Sequence, residues 1–393
     1  MAVEYATRAG VRARRRDAAD VAAFLRRLDW ILVASVVALI AYGLWAIAGI
    51  TRHDVPGNPN YYVVRQGVYV AIGFVAFIAA LVIDPDWYRR RWQAIGIGTT
   101  LLIAFVIVAG PVTRGTKRWL HFGFFRFQPS EFGKVLFVLA LAGFIAGRTK
   151  QLGTWRTTLH VVGLACVPIL LVLVEPDVGT SMVYAAALVA VLFVAGTRWL
   201  HLATLGVAAA LLATIVLWAA PAAGVHVLPR YQVQRLTGFF HPSSDPQGQT
   251  YNIIQSKNAV GAGQLNGRGP NGATQTTLHF LPEHHTDFVF ASLAEERGFV
   301  GASILLALYL LVVWRGLRVV ALARDAFSAI VAGGLVVALL FQIFVNVGMT
   351  MGIAPITGIP LPFFSVGGSS MIANLIAIGI LLAIHARARV PRR

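Results

Sequence analysis

Cysteine, acidic residues and charge in general are scarce in this chain. One cysteine, Cys166, stands among 393 residues, so no disulfide and no thiolate metal site can form within it. Charged residues make up 12%, against roughly a quarter in a soluble domain. A water-soluble globular protein of this length is thereby excluded. Asp and Glu number 16 against 33 Lys and Arg, a formal charge of +17, which raises nucleic acid or anionic lipid as partners. Familiar chemistry motifs are missing too. GPVTRGTK (110–117) puts Thr-Lys where a P-loop needs Gly-Lys-Ser/Thr, GAGQLNG (261–267) lacks the third dinucleotide glycine, and there is no HExxH.

What the chain has is apolar length. Hydrophobic residues reach 57% and the mean hydropathy is +0.71. Uncharged runs cover 31–50, 66–83, 94–110, 135–147, 157–174, 178–196, 199–220, 298–314, 327–349 and 369–386. Most approach the ~20 residues a helix needs to cross a bilayer. The expectation is an all-α integral membrane protein, a polytopic bundle of about ten transmembrane helices. Its single domain spans 28–388, between an Arg-rich tail (1–27) and a short tail (389–393). The first run is too long, and lacks a cleavage site, to be a removable signal peptide.

Placing the charges chooses between the partners. With the N-terminus inside, the inner segments hold 21 of the 33 Lys and Arg, the positive-inside bias expected of a multi-pass protein of the cytoplasmic membrane with both termini in the cytoplasm. No basic patch lies on a folded soluble module, so nucleic acid is not expected. The tail reads as a segment that touches anionic membrane lipids.

Three outer connections are unusual. Residues 111–130 are cationic and aromatic. Residues 221–286 form a large extracytoplasmic loop, whose polar stretches alternate with Tyr231, Phe239, Phe240 and Tyr251 as in an ordered, partly helical cap. Residues 351–370 hold too much Gly and Pro for regular helix, which at membrane depth requires surrounding protein or a wet cavity.

Ionisable residues stand at the outer ends of two spans. In FQPSEFGKVLF, Pro129 suits a first helical position, and Glu131 and Lys134 share one face at i and i+3. In LPEHHTDFVF, Thr286 reads as an N-cap with Asp287 just inside the eighth span. From Asp287 to Trp314 a helix would run about 42 Å at ~1.5 Å per residue, two turns more than a ~30 Å core requires. Those turns would leave Glu295, Glu296 and Arg297 shallow, either functional or a surface salt-bridge cluster. Ionisable groups inside spans mark function by default. His279, His284 and His285 could be drawn as a metal cluster, but adjacent histidines at 284 and 285 should diverge, and the expectation is no dedicated metal site.

KRWLHFGFFRFQPSEFGK, EPDVGTS, LPEHHTDFVFASLAEERGFVG and NVGMTMGIAPITGIPLPFFSVGGSS, in this order, resemble the SEDS family of peptidoglycan polymerases, the RodA and FtsW type, with the elongation (RodA) branch favoured. The resemblance covers roughly 28–388. It implies a nucleotide-independent, inverting glycosyltransferase that polymerises lipid II, the disaccharide-pentapeptide on undecaprenyl diphosphate, on the outer membrane face. It also implies a class B penicillin-binding protein as partner. The family's essential aspartate falls on Asp287 and its buried Glu/Lys pair on Glu131 and Lys134. Two positions depart from the family pattern: Val366 replaces a common tyrosine and Glu175 a usual glutamine.

On this reading Asp287 is the catalytic base, or an electrostatic or metal-positioning group. A helix start and a nearby lysine weaken a carboxylate as a base, whereas desolvation strengthens it. Lys134, positioned by Glu131, and the outer Arg118 and Lys117 are candidate substrate contacts, and Ser365 could line the cavity floor. No cofactor is certain; a divalent cation, Mg or Mn, could bridge the diphosphate. Two rivals stand: a lipid-linked precursor flippase or transporter, which predicts charges spread through the midplane, and a non-catalytic scaffold, which leaves Asp287 unexplained.

Overall fold

The structure, a computed structural model, describes residues 23–112, 117–123, 125–224 and 251–389. The Arg-rich run 11–16, Tyr231, Phe239, Phe240, part of GPVTRGTK and the last four residues lie outside the described residues.

Among the described residues ten apolar helices form: α1 (Trp30–Ile50), α2 (Tyr61–Val82), α3 (Trp92–Ala109), α4 (Pro129–Ala146), α5 (Trp155–Val174), α6 (Val178–Val194), α7 (Trp199–Thr214, continuing through a π-turn to Ala222), α8 (Val289–Leu322), α9 (Ala326–Thr350) and α10 (Gly368–Ala388). Among the described residues nine are long and apolar enough to cross a bilayer, and α6, with 17 residues, is a shorter tenth. The ten expected runs each map onto one of them. Polar residues stop the helices at the ends. Asp29 caps α1 by accepting from the Leu32 amide at 3.2 Å, and Asp325 caps α9 by accepting from the Ser328 amide at 3.0 Å. Pro129 opens α4, where its missing N–H costs nothing.

An even number of crossings returns the chain to the face where it started. There Arg315 of α8 binds the Asp29 carboxylate, its Nε 2.9 Å from Oδ2, and Arg387 at the end of α10 donates to the Ile83 carbonyl. The opposite, loop face carries the described residues 51–60, 110–112, 117–123, 125–128, 175–177, 251–288 and 351–367. Two short antiparallel strands form there, β1 (Leu120–Phe122) and β2 (Phe125–Phe127), with His121 opposite Arg126. The helix Tyr251–Gly263 and the turn Thr274–Thr277 lie on the same face and pack on α8.

Burial concentrates in α4, α9 and α10, while α2 flanks α10 along its length. Small residues allow close approach: Gly333 and Gly334 of α9 meet Val194, Val138 and Val191, as expected where helices associate without a hydrophobic driving force between them.

The eighth span corrects the expectation of one overlong helix. Gly298 takes φ 65° and ψ −163°, a break between 289–297 and the remainder of α8, and glycine enters that left-handed region without Cβ strain. The backbone groups freed at the break are taken up by the preceding connection. Phe299 and Val300 amides donate to the Gln264 and Leu265 carbonyls, and Arg268 and Gly269 amides donate to the Glu295 and Glu296 carbonyls. Irregular backbone persists at a span end because protein satisfies it. The Glu295 carboxylate is correspondingly buried and accepts from the Gln275 and Thr276 amides at 2.8 and 3.0 Å, so it is no snorkelling surface charge.

Candidate functional site

Asp287 sits on a tight turn of the loop face, half-buried, two residues before α8 begins at Val289. Thr286 does not cap that helix. The Glu283 carbonyl, on a residue with φ +53°, collects the amides of Thr286, Asp287 and Phe288, and the Thr286 hydroxyl donates to the Glu283 carboxylate at 2.9 Å. Closing this turn uses the groups an N-cap would need.

The turn is held from below by buried polar side chains. Asn346 of α9 donates to both the Asp287 and the Ile359 carbonyls, each at 2.8 Å. Ser365 donates to the Thr286 carbonyl at 2.5 Å and accepts from the Leu361 amide at 2.8 Å. Gln66 of α2 donates to the Ser365 carbonyl at 3.0 Å, and the Val366 amide donates to the His285 carbonyl. Gly358, at φ +74°, lets the 351–367 segment pass beside the carboxylate; a Cβ there would stand 3.4 Å from Asp287 Oδ2. Ser365, expected on a cavity floor, is buried with its hydroxyl engaged by protein. It positions the turn.

Glu131 and Lys134 lie in the first turns of α4, both buried, with Lys134 Nζ 2.7 Å from Glu131 Oε2. Among the described residues the ion pair of Lys134 is with Glu131 and not with Asp287. The link to the Asp287 turn is indirect. Tyr184 of α6 donates to the Ser130 carbonyl at 2.8 Å, and Gly179 at the start of α6 abuts Thr357 and Ile359, which flank Gly358.

Lys117 is exposed, whereas Arg118 is drawn to Asp177, 3.4 Å from Oδ2. Asp177 also accepts from Gln128 Nε2 at 3.1 Å and caps α6 through the Thr180 amide. Beside it, Glu175 is buried with no hydrogen-bond partner for either carboxylate oxygen among the described residues. Burial first, and then the Asp177 charge, pushes its carboxyl up to about 8, with Arg118 opposing. The neutral form of Glu175 is thereby favoured near pH 7.

One feature was not legible as a site in the sequence, and a second was set aside there. A cavity of about 530 Å³ lies between the first turns of α2 and the β1–β2 hairpin, lined by Tyr61, Arg65, His121 and Arg126 with Val64 and Val68. Both valines are exposed along α2, so the cationic lining adjoins apolar surface of that span. The aromatic alternation LHF and FRF around Gly123 was the signal for the hairpin. Second, the adjacent His284 and His285 do not diverge as expected: both turn to Asp54 of the α1–α2 connection, at 3.0 and 3.7 Å from its Oδ2. The backbone there is a turn, not the strand or helix that would separate neighbouring side chains. His279 joins them, its ring centroid 5.4 Å from that of His284.

Fold and site together define a polytopic membrane protein that holds a cluster of buried polar groups at its loop face, over a core in which α4, α9 and α10 are the most buried spans. The chain belongs to the FtsW, RodA and SpoVE family: the family model, described as cell cycle protein, matches residues 26–390. It is 38% identical over 358 residues to the peptidoglycan glycosyltransferase MrdB of Escherichia coli strain K12, covering 91% of this chain and 93% of that one. A chain of a peptidoglycan synthase complex, solved to show how polymerization and crosslinking are coordinated, superposes with a TM-score of 0.78 at 29% identity, covering 92% and 98%. The rod shape determining protein RodA of Thermus thermophilus follows at TM-score 0.68 and 26% identity, covering 93% and 98%.

Proposed function

We propose that this protein is a peptidoglycan glycosyltransferase of cell elongation, polymerising lipid II at the outer face of the cytoplasmic membrane. The positive-inside bias orients the loop face outward and leaves both termini in the cytoplasm. The observation that carries the reading is the Asp287 turn: a half-buried carboxylate held at the loop face by Asn346 and Ser365, on the side where α2 opens a cationic, lipid-facing cavity.

In the reaction a sugar 4-hydroxyl of one lipid II attacks the anomeric carbon of the growing strand. The glycosyl–oxygen bond to undecaprenyl diphosphate breaks, and the diphosphate leaves with the bonding pair. Asp287 takes the hydroxyl proton as attack proceeds. Arg65 and Arg126 supply positive charge for the departing diphosphate, His121 adds a ring hydrogen bond, Lys117 is a further cation of the same outer connection, and Val64 and Val68 accept the start of the polyprenyl chain. Preorganised charge of this kind lowers the barrier where negative charge develops. A divalent cation, Mg or Mn, accompanies the diphosphate as part of the substrate. The Glu131–Lys134 pair sets the α4 end on which the hairpin and the Asp177 cluster rest. Because polymer strands must be cross-linked, the proposal includes a class B penicillin-binding protein as partner.

Purified protein, with and without such a partner, is to be given lipid II and the products resolved on a gel. Asp287→Asn should lower polymer formation at least ~100-fold, the lower end of general-base effects. Polymer from the variant at the native rate discards the catalytic assignment, and lipid movement across vesicles without polymer turns the reading to a flippase.

A further inference from the structure

The geometry points to a transition-metal site, formed by Asp54, His279 and His284, that clamps the turn carrying Asp287 to the connection between α1 and α2. One potential ligand atom from each of the three residues lies within 4.8 Å of the others. His284 Nε2 stands 3.0 Å from both Asp54 oxygens, close to the edge of a tetrahedron with metal–ligand bonds of ~2.0–2.1 Å. His285 Nδ1, 3.7 Å from Asp54 Oδ2, supplies a third nitrogen, and so a fourth protein ligand, at the margin.

An ordinary ion pair explains Asp54 with His284 but leaves His279 unaccounted for. His279 is held beside them in the left-handed region, at φ +56°, a conformation uncommon for a non-glycine residue. The ring is exposed while Asp54 and His284 have side chains only 8% and 6% exposed. The cluster is therefore preformed on one side and open on the other, where an ion enters and a water completes the shell. The His284 carbonyl accepts from the Ser292 hydroxyl at 3.2 Å, which ties the ligand's backbone to α8.

The donor set selects the ion. Two imidazoles and one carboxylate suit zinc and its borderline neighbours, whereas Mg and Ca require oxygen-rich shells. The role is structural and regulatory rather than chemical. His279 and His284 precede Asp287 by eight and three residues, and His285 packs on Tyr62 of α2 at 4.4 Å between ring centroids. A bound ion joins α1–α2, α2 and the Asp287 turn into one unit and leaves Asp287 itself uncoordinated.

The test uses the full-length, tag-free protein in detergent, stripped with a chelator and titrated with zinc against a chromophoric competitor. The wild type should take one tight equivalent, and cobalt in its place should give the visible absorption of a tetrahedral or five-coordinate site. His279→Ala removes an exposed ligand and should keep the metal-free melting temperature while weakening zinc at least tenfold. His284→Ala should weaken it similarly. His160→Ala, at a histidine outside the cluster, should match the wild type. Zinc should raise the melting temperature of the wild type and not of His279→Ala. Equal zinc affinity in His279→Ala, the absence of a stoichiometric site in the wild type, or a preference for Mg over zinc would each overturn the proposal. None of these readouts requires lipid II turnover, so a failure here leaves the glycosyltransferase reading standing, and the reverse holds.

Discussion

α4 and α7 are both spans by length and composition, yet the molecule uses them in opposite ways. α4 carries Ser130, Glu131 and Lys134 and buries 13 of its 18 residues. α7 is the more apolar of the two, and His201 is its buried residue. Trp199, Leu200, Val207, Leu211, Leu212 and Trp218 all face outward. In water the more apolar helix would be the core. In a bilayer lipid already solvates hydrocarbon, so apolar surface gains little from a protein neighbour, while polar groups must find partners inside. Here hydropathy identifies a span and polarity identifies the core.

The comparison is broken most directly at the α4 pair. Lys134→Ala leaves the Glu131 carboxylate buried and unpaired, which should destabilise by about 3–5 kcal/mol. Thermal unfolding in detergent measures this. Glu131→Leu with Lys134→Met should restore most of the stability, because removing both charges removes the desolvation cost too. If the double variant recovers stability but polymerises poorly, the pair serves catalysis beyond folding; recovery of both assigns it to folding alone.

Asn346 comes next. Its amide bridges the carbonyls of Asp287 and Ile359 from within α9. Asn346→Ala leaves two buried acceptors unsatisfied, a cost of about 1–3 kcal/mol each at most. Lipid II turnover should fall more than the folded fraction does, since the variant loosens the turn that carries Asp287, the proposed base. Turnover per folded molecule equal to wild type would make Asn346 a packing residue only.

How far the sequence reveals this molecule follows from the same physics. The ten spans are legible because each is a local property of some twenty consecutive residues, and the Glu131–Lys134 contact because i and i+3 on a helix must meet. Asp287 stands out as a carboxylate at a span end. What long-range folding decides is hidden. The break at Gly298 depends on backbone partners at 264–269, the cationic cavity joins α2 to a hairpin more than about 50 residues away, and Asp54 meets His284 across 230 residues of chain. The Thr286 cap was a reasonable local signal that lost to a tertiary turn closed on the Glu283 carbonyl.

Glu175 offers a smaller, pH-dependent test. Its folded carboxyl titrates at about 8 against an ordinary 4.5, so between these values the folded state holds a proton that the unfolded state has lost. Stability must then fall as pH rises through that window. Glu175→Gln should melt like the wild type near pH 4.5, become progressively more stable than it up to about pH 8, and keep a constant lead above. A pH-independent difference between the two would mean the carboxylate is ionised in the folded protein.

The smallest effect belongs to α7. Leu211→Ala and Val207→Ala trim side chains that are 59% and 60% exposed in the absence of lipid, so no cavity opens and each should change stability by less than about 0.5 kcal/mol. Polymerisation by the isolated protein should be unchanged as well. Because these side chains leave lipid only when another protein covers them, the same substitutions report on assembly. A loss of activity seen only with the proposed penicillin-binding partner present would place α7 in that interface, and a loss in the isolated protein would show that the lipid-facing helix is not as free of the core as its burial indicates.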